Sequence, residues 1–143
     1  MDLKLLEVEA VPDSPTDHWK VRAISVNGKA PALSTLSSWS KNEKADFRKI
    51  IKALRLAAAT KKRVTDPRLV KKCATYDGVY EARADKGSAR LMFFYSEAEE
   101  MIIVCTDGFW KGGNQDTAFK HCADFKSLFD KNYYEQPKRR SVR

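Results

Sequence analysis

The chain has 143 residues, 43% of them hydrophobic and 32% charged, with a formal net charge of +8. That is enough for one domain with its own core and too little for two ordinary ones, and the apolar fraction excludes a disordered polymer. The longest apolar runs, Leu91–Tyr95 and Met101–Cys105, are five residues each, whereas a membrane-crossing helix needs roughly 20. The opening Met1-Asp2-Leu3-Lys4, with Glu7 and Glu9 close behind, does not read as a signal peptide. A cytoplasmic protein with no membrane partner is expected.

Residues 2–10 and 18–26 read as strands, the second alternating Trp19, Val21 and Ala23 with Lys20 and Arg22. Between them Pro12-Asp13-Ser14-Pro15 makes a loop, Asn27-Gly28-Lys29 makes a further turn, and the Pro- and Ser-rich stretch Ala30–Ser38 reads as irregular chain. Residues 1–38 read as an N-terminal strand extension of the sheet, or a small accessory subdomain, ahead of a main domain at 39–136. Ser40-Lys41-Asn42-Glu43 fits a capping box. The helix it would open carries Phe47, Ile50, Ile51, Leu54 and Ala58 on a single apolar stripe. Lys41, Lys44, Arg48, Lys52 and Arg55 fall largely off that stripe, so a basic outer face is expected. Residues 41–72 hold twelve Lys and Arg against Glu43, Asp46 and Asp66, a net +9 that leaves −1 for the rest of the chain. Cations clustered in this way are the footprint of a polyanion or an acidic protein partner. The helix should break around Thr60–Arg63, and Asp66-Pro67-Arg68-Leu69-Val70 reads as a shorter helix or turn.

Val79–Ala84, Ala89–Tyr95 and Met101–Thr106, joined at Asp85-Lys86-Gly87-Ser88 and Ser96–Glu100, read as an antiparallel meander. Arg83 and Arg90 sit in or beside strands, and Lys111 follows the third strand behind Gly108-Phe109-Trp110. Three cations near one face of a sheet make a phosphate-binding surface. Asp107 reads as a turn former, and Glu81 beside Arg83 as one half of a surface salt bridge. After Gly112-Gly113-Asn114-Gln115, Asp116 is the expected N-cap of a last helix with Ala118, Cys122, Phe125 and Phe129 on its apolar face, ending near Tyr133-Tyr134. His121 reads as a surface or partly buried member of that helix. A basic tail occupies residues 137–143. Cys73, Cys105 and Cys122 are an odd number without close spacing, and with only His18 and His121 they assemble no zinc-ligand set. Cys105 and Cys122 read as small core residues, and neither a metal nor another cofactor is expected. The fold class expected is α+β, a mostly antiparallel twisted sheet with helices packed on one face and an extra N-terminal strand pair.

Gly78-Val79-Tyr80-Glu81-Ala82-Arg83, then Arg90 with Phe94-Tyr95, then the Ile102–Val104 strand, then Gly108-Phe109-Trp110-Lys111 and a helix opening near Thr117 carry a likeness over roughly residues 45–134. In order and spacing this segment resembles the RelE/HigB-like superfamily of bacterial and phage toxins, whose members cut messenger RNA on the ribosome. The family usually places a second Lys after the first, where this chain has Gly112. The resemblance implies a ribosome-dependent, metal-independent mRNA endonuclease, the toxin of a type II toxin–antitoxin pair. Arg83 and Arg90 would stabilise the transition state, Lys111 would serve the leaving group, and Tyr95 would carry a proton or stack on a base. Phe109 and Trp110 would offer flat surfaces to unstacked bases, and Lys44, Arg48, Lys52 and Arg55 a basic RNA-binding face. The implied partners are a cognate antitoxin with a DNA-binding domain, the ribosome and messenger RNA. A second reading is a non-catalytic basic module of the same fold that binds RNA or an acidic protein. A third is a phage-derived structural protein that keeps the fold alone.

Overall fold

The computed structural model describes residues 2–63, 66–98 and 100–134, without the side chains of Tyr133 and Tyr134. The basic tail at 137–143 lies outside the described residues. Leu3–Glu7 forms β1 and Lys20–Val26 forms β2; Pro31–Asn42 forms α1 and Lys44–Ala59 forms α2. Then come β3 (Val70–Lys72), β4 (Tyr80–Arg83), β5 (Ala89–Ser96), β6 (Ile102–Trp110) and α3 (Gln115–Tyr134). The six strands make one sheet in the order β1-β2-β6-β5-β4-β3. Only β2 and β6 run parallel; the other four pairings are antiparallel. The class is α+β with a mixed sheet, and the N-terminal strand pair belongs to that sheet rather than to a separate unit.

Helices cover both faces, not one. Leu91, Phe93 and Tyr95 of β5 pack with Leu36, Trp39, Ile50 and Leu54 from α1 and α2. Met92 and Phe94 between them pack with Ala118, Cys122 and Phe129 of α3. The cause is in the strand itself: every residue of β5 is buried, so apolar side chains emerge on both sides and each side needs a cover.

The stretch expected to be irregular is helical. Pro31 stands in the first turn, where its missing N–H costs nothing, and Ala32, Leu36 and Trp39 are the buried stripe. The capping box does not form. Ser40 belongs to the last turns of α1, where its hydroxyl donates to the Ser37 carbonyl at 2.8 Å. Glu43 is the joint between the helices; its N–H donates to Trp39 O and its carbonyl accepts from Phe47 N–H, both at 2.8 Å. Pro67–Leu69 is a turn, but Val70 already belongs to strand β3. In α3 the Thr117 N–H is taken by Asn114 Oδ1 at 3.4 Å, so Asn114 caps the helix and Asp116 lies in its first turn. β6 continues past Thr106 to Trp110, and Asp107 is a strand residue. Gly108 permits that extension beneath α1: a Cβ there would stand 2.8 Å from Thr35 Cγ2 and 3.0 Å from the Trp39 ring. Among the described residues no helix is long and apolar enough to cross a membrane.

Candidate phosphate-binding site

The β4–β5 hairpin sets the site. Its register pairs Arg83 with Arg90, and β5–β6 pairing sets Arg90 beside Phe109, so the three form a row across the sheet. The hairpin is anchored from below by the first turn of α2. Asp46 Oδ2 accepts the N–H groups of Ser88 and Ala89 at 2.7 and 2.9 Å. The Lys111 N–H donates to Ser88 O at 2.7 Å, which holds the end of β6 against the same turn.

These restraints gather five cations, Arg68, Arg83, Lys86, Arg90 and Lys111, around a cavity of about 520 Å³ whose only acid among the described residues is Asp85. Arg90 is 5% exposed and is fixed by two bonds from Nη1, to Gly87 O at 3.1 Å and Ala89 O at 2.9 Å. Burial first, then the charge of Arg83, draws its pKa down, against the pull of Glu81 and Asp46; a guanidinium stays ionised nonetheless. Arg83 donates from Nη1 to Pro67 O at 2.8 Å. Its Nε lies 3.3 Å from Glu81 Oε1 without the alignment of a hydrogen bond. Arg68 is exposed and engaged by Asp66 at 3.1 Å. Lys111 is exposed at the rim.

Glu81 pairs with Arg83 as expected, but its carboxyl is buried rather than at the surface. It is 6% exposed, and its Oε2 and Arg83 Nε are buried atoms without hydrogen-bond partners. Each such atom costs about 1–3 kcal/mol. Burial raises the Glu81 pKa, more than Arg83, Arg90 and Lys71 lower it. A carboxylate buried behind two guanidiniums offsets part of their charge. The sequence pointed to the pairing, since period-2 alternation sets Glu81 on the face of Arg83, but not to its burial.

Tyr95 does not join this site. It lies five residues beyond Arg90 on β5, roughly 17 Å away along the strand. Its ring is buried against Trp19, Tyr80 and Phe93 at 4.6, 5.0 and 5.4 Å between centroids. The Arg63 guanidinium sits 5.1 Å over it, at a separate cavity of about 240 Å³. Phe109 and Trp110 face opposite sides. Phe109 is half-buried, edge-on to Phe119 at 6.0 Å, whereas Trp110 is 40% exposed with Trp39 6.4 Å away. Only Trp110 is open to a stacking base. Lys44, Arg48, Lys52 and Arg55 are exposed on α2, across the sheet from α3, and none lines the cavity; Arg55 donates to Ala10 O at 3.1 Å. Gly112, where the resembling family carries lysine, has φ +90°, a backbone that a lysine would occupy only under strain.

Among the described residues no group of three or more His, Cys, Asp or Glu stands close enough to hold a metal ion. Cys105 and Cys122 are buried, and burial pushes both thiols up, Cys122 to about 12, so neither is a thiolate nucleophile at neutral pH. No family model matches the chain, and no curated protein matches it either.

Proposed function

We propose that this protein seats an RNA phosphodiester in the cavity at the β4–β5 hairpin and cuts messenger RNA there without a metal, as a ribosome-dependent endonuclease toxin of the RelE/HigB kind. The observation that carries the reading is the convergence of Arg83, Arg90 and Lys111 on one cavity, with Lys86 and Arg68 beside them. In such a cleavage the 2′-oxygen attacks the adjacent phosphorus and the 5′-oxygen leaves, through a phosphorane-like state richer in negative charge than the substrate. Paired guanidinium donors favour that state. Arg83 and Arg90 take this role, and Lys111 serves the leaving oxygen. The proton of the 2′-hydroxyl needs an acceptor. Tyr95 stands too far along β5, and Glu81 is buried behind Arg83 and outside the lining of the cavity, so neither meets that proton directly and it passes to water in the open cavity. Trp110 and the basic face of α2, both on the side of the sheet away from the arginine row, meet RNA away from the cut. An antitoxin with a DNA-binding domain would cover the cavity with acidic groups. The ribosome would hold the transcript, and the protein would work in the cytoplasm.

The second reading, a basic module that binds RNA or an acidic protein without cutting, is favoured by Gly112 in place of lysine and by the separation of Tyr95 from the arginines. Controlled expression with mapping of transcript 5′ ends, beside Arg90→Ala, decides between them. Growth arrest with cuts inside translated codons, both lost in the variant, is the expected result. Intact transcripts and normal growth would leave the binding module.

A further inference from the structure

Away from the cationic cavity, α3 and the start of α1 enclose a second groove of about 420 Å³, whose lining includes Pro31, Asp107, His121, Asp124, Phe125 and Leu128. Its ionisable groups are two carboxylates and a histidine, an inversion of sign in a chain of net charge +8. Asp107 reaches the groove because the β5–β6 ladder slips. Leu91 pairs with Gly108 but Phe93 pairs with Cys105, so Thr106 and Asp107 together stand opposite Met92. Such a bulge re-aims side chains that strict alternation would send to the other face.

Asp107 is 7% exposed. The Thr106 hydroxyl donates to its Oδ1 at 2.8 Å, while Oδ2 has His121 Nδ1 3.6 Å away, beyond hydrogen-bond length. Oδ2 is nevertheless not sealed in: among the described residues the sealed, unpartnered side-chain atoms are Glu81 Oε2 and Arg83 Nε. Asp124 is already held by Lys120 at 2.8 Å. One carboxylate is therefore desolvated, under-satisfied and set at the edge of an apolar trough. A buried charge in that condition calls for a counter-charge. The acids and the histidine do not form a cluster that could hold a metal ion, and an anion would meet two carboxylates.

We propose that this groove binds a small organic ammonium on an apolar body, with Asp107 as its counter-charge and Pro31, Phe125 and Leu128 as its walls. A trough of this size accepts a compact aralkyl amine, and the Phe125 ring adds attraction for a cation. The site is independent of the cationic cavity and of the nuclease reading.

The test uses the full chain and two probes of one shape, phenethylammonium and 2-phenylethanol, followed by amide chemical shifts. The ammonium should shift Asp107, His121, Phe125 and Leu128 saturably at about millimolar concentration, and the alcohol should bind about tenfold more weakly. In Asp107→Asn, isosteric and able to keep the Thr106 bond, the tenfold preference should vanish while weak binding of the alcohol persists. Equal affinity for both probes, or a preference that survives Asp107→Asn, would overturn the assignment. So would shifts spread over Asp and Glu residues remote from the groove, or no saturation by the ammonium.

Discussion

Replacing Asp107 by Asn tests whether this buried carboxyl is as costly as its surroundings imply. Burial raises its pKa from an ordinary 3.8 to about 6, against smaller opposing effects from Thr106 and His121. At about 1.4 kcal/mol per tenfold change in proton affinity, that rise amounts to roughly 3 kcal/mol. The sign follows from proton binding. Between about pH 4 and about pH 6 the folded chain holds this proton and the unfolded chain does not, so stability falls as pH rises through that window. Below it both states are protonated and the cost disappears; above it the whole cost is present. Asn removes the charge while keeping an acceptor for Thr106. Relative to the parent protein, the variant should gain about 3 kcal/mol in unfolding free energy on going from about pH 4 to about pH 7, seen as a relative rise in Tm of about 6–12 °C. Urea unfolding at a series of pH values measures the difference, in which Glu81, common to both proteins, cancels. The same comparison in a His121→Gln background removes the one histidine that faces Asp107. A stability difference that does not change with pH would refute the reasoning.

Other substitutions bear on the cavity and its supports. Asp46→Ala strips the acceptor from two N–H groups of the hairpin turn and should cost about 3 kcal/mol in urea unfolding; a loss below about 0.5 kcal/mol would mean that the turn holds itself. Glu81→Gln removes a negative charge from behind Arg83 and Arg90, so RNA binding should tighten severalfold; unchanged affinity would mean that this charge is not felt in the cavity. Gly112→Ala, at φ +90° with no atom within 4 Å of the new Cβ, should cost about 1 kcal/mol through backbone strain alone, read as a lower Tm with RNA affinity retained.

Much of this arrangement was legible in the chain. The four-residue turn after Ala84 and the alternation on either side of it were enough to put Arg83 opposite Arg90. The period of Phe47, Ile50, Leu54 and Ala58 was enough for α2. The unbroken run Leu91–Tyr95 carried more than was read from it: a strand without polar alternation is covered on both faces, which already implied helices on each side. Tyr95, an odd number of residues from Arg90, could likewise have been separated from it by parity and distance. The hidden parts have physical causes. The serines of α1 disguised the Ala32, Leu36 and Trp39 stripe, and Pro31 reads as a breaker unless it opens a helix. β3 has three residues, too few for a pattern. The Asp107 groove depends on a register slip in β6 that leaves no periodic trace, so a residue expected in a turn became a buried strand acid.

The central claim is that the hairpin cavity seats RNA phosphate. Its most direct test is the affinity of a short fluorescent single-stranded RNA across a salt series, for the parent protein and for Lys111→Gln, whose side chain is exposed. Binding should weaken steeply with salt, and the variant should lose affinity and flatten the log–log slope by about 0.7, the share of one phosphate contact on a single strand. A parent protein that binds RNA without salt dependence, or a variant with the parent's affinity and slope, would contradict the account.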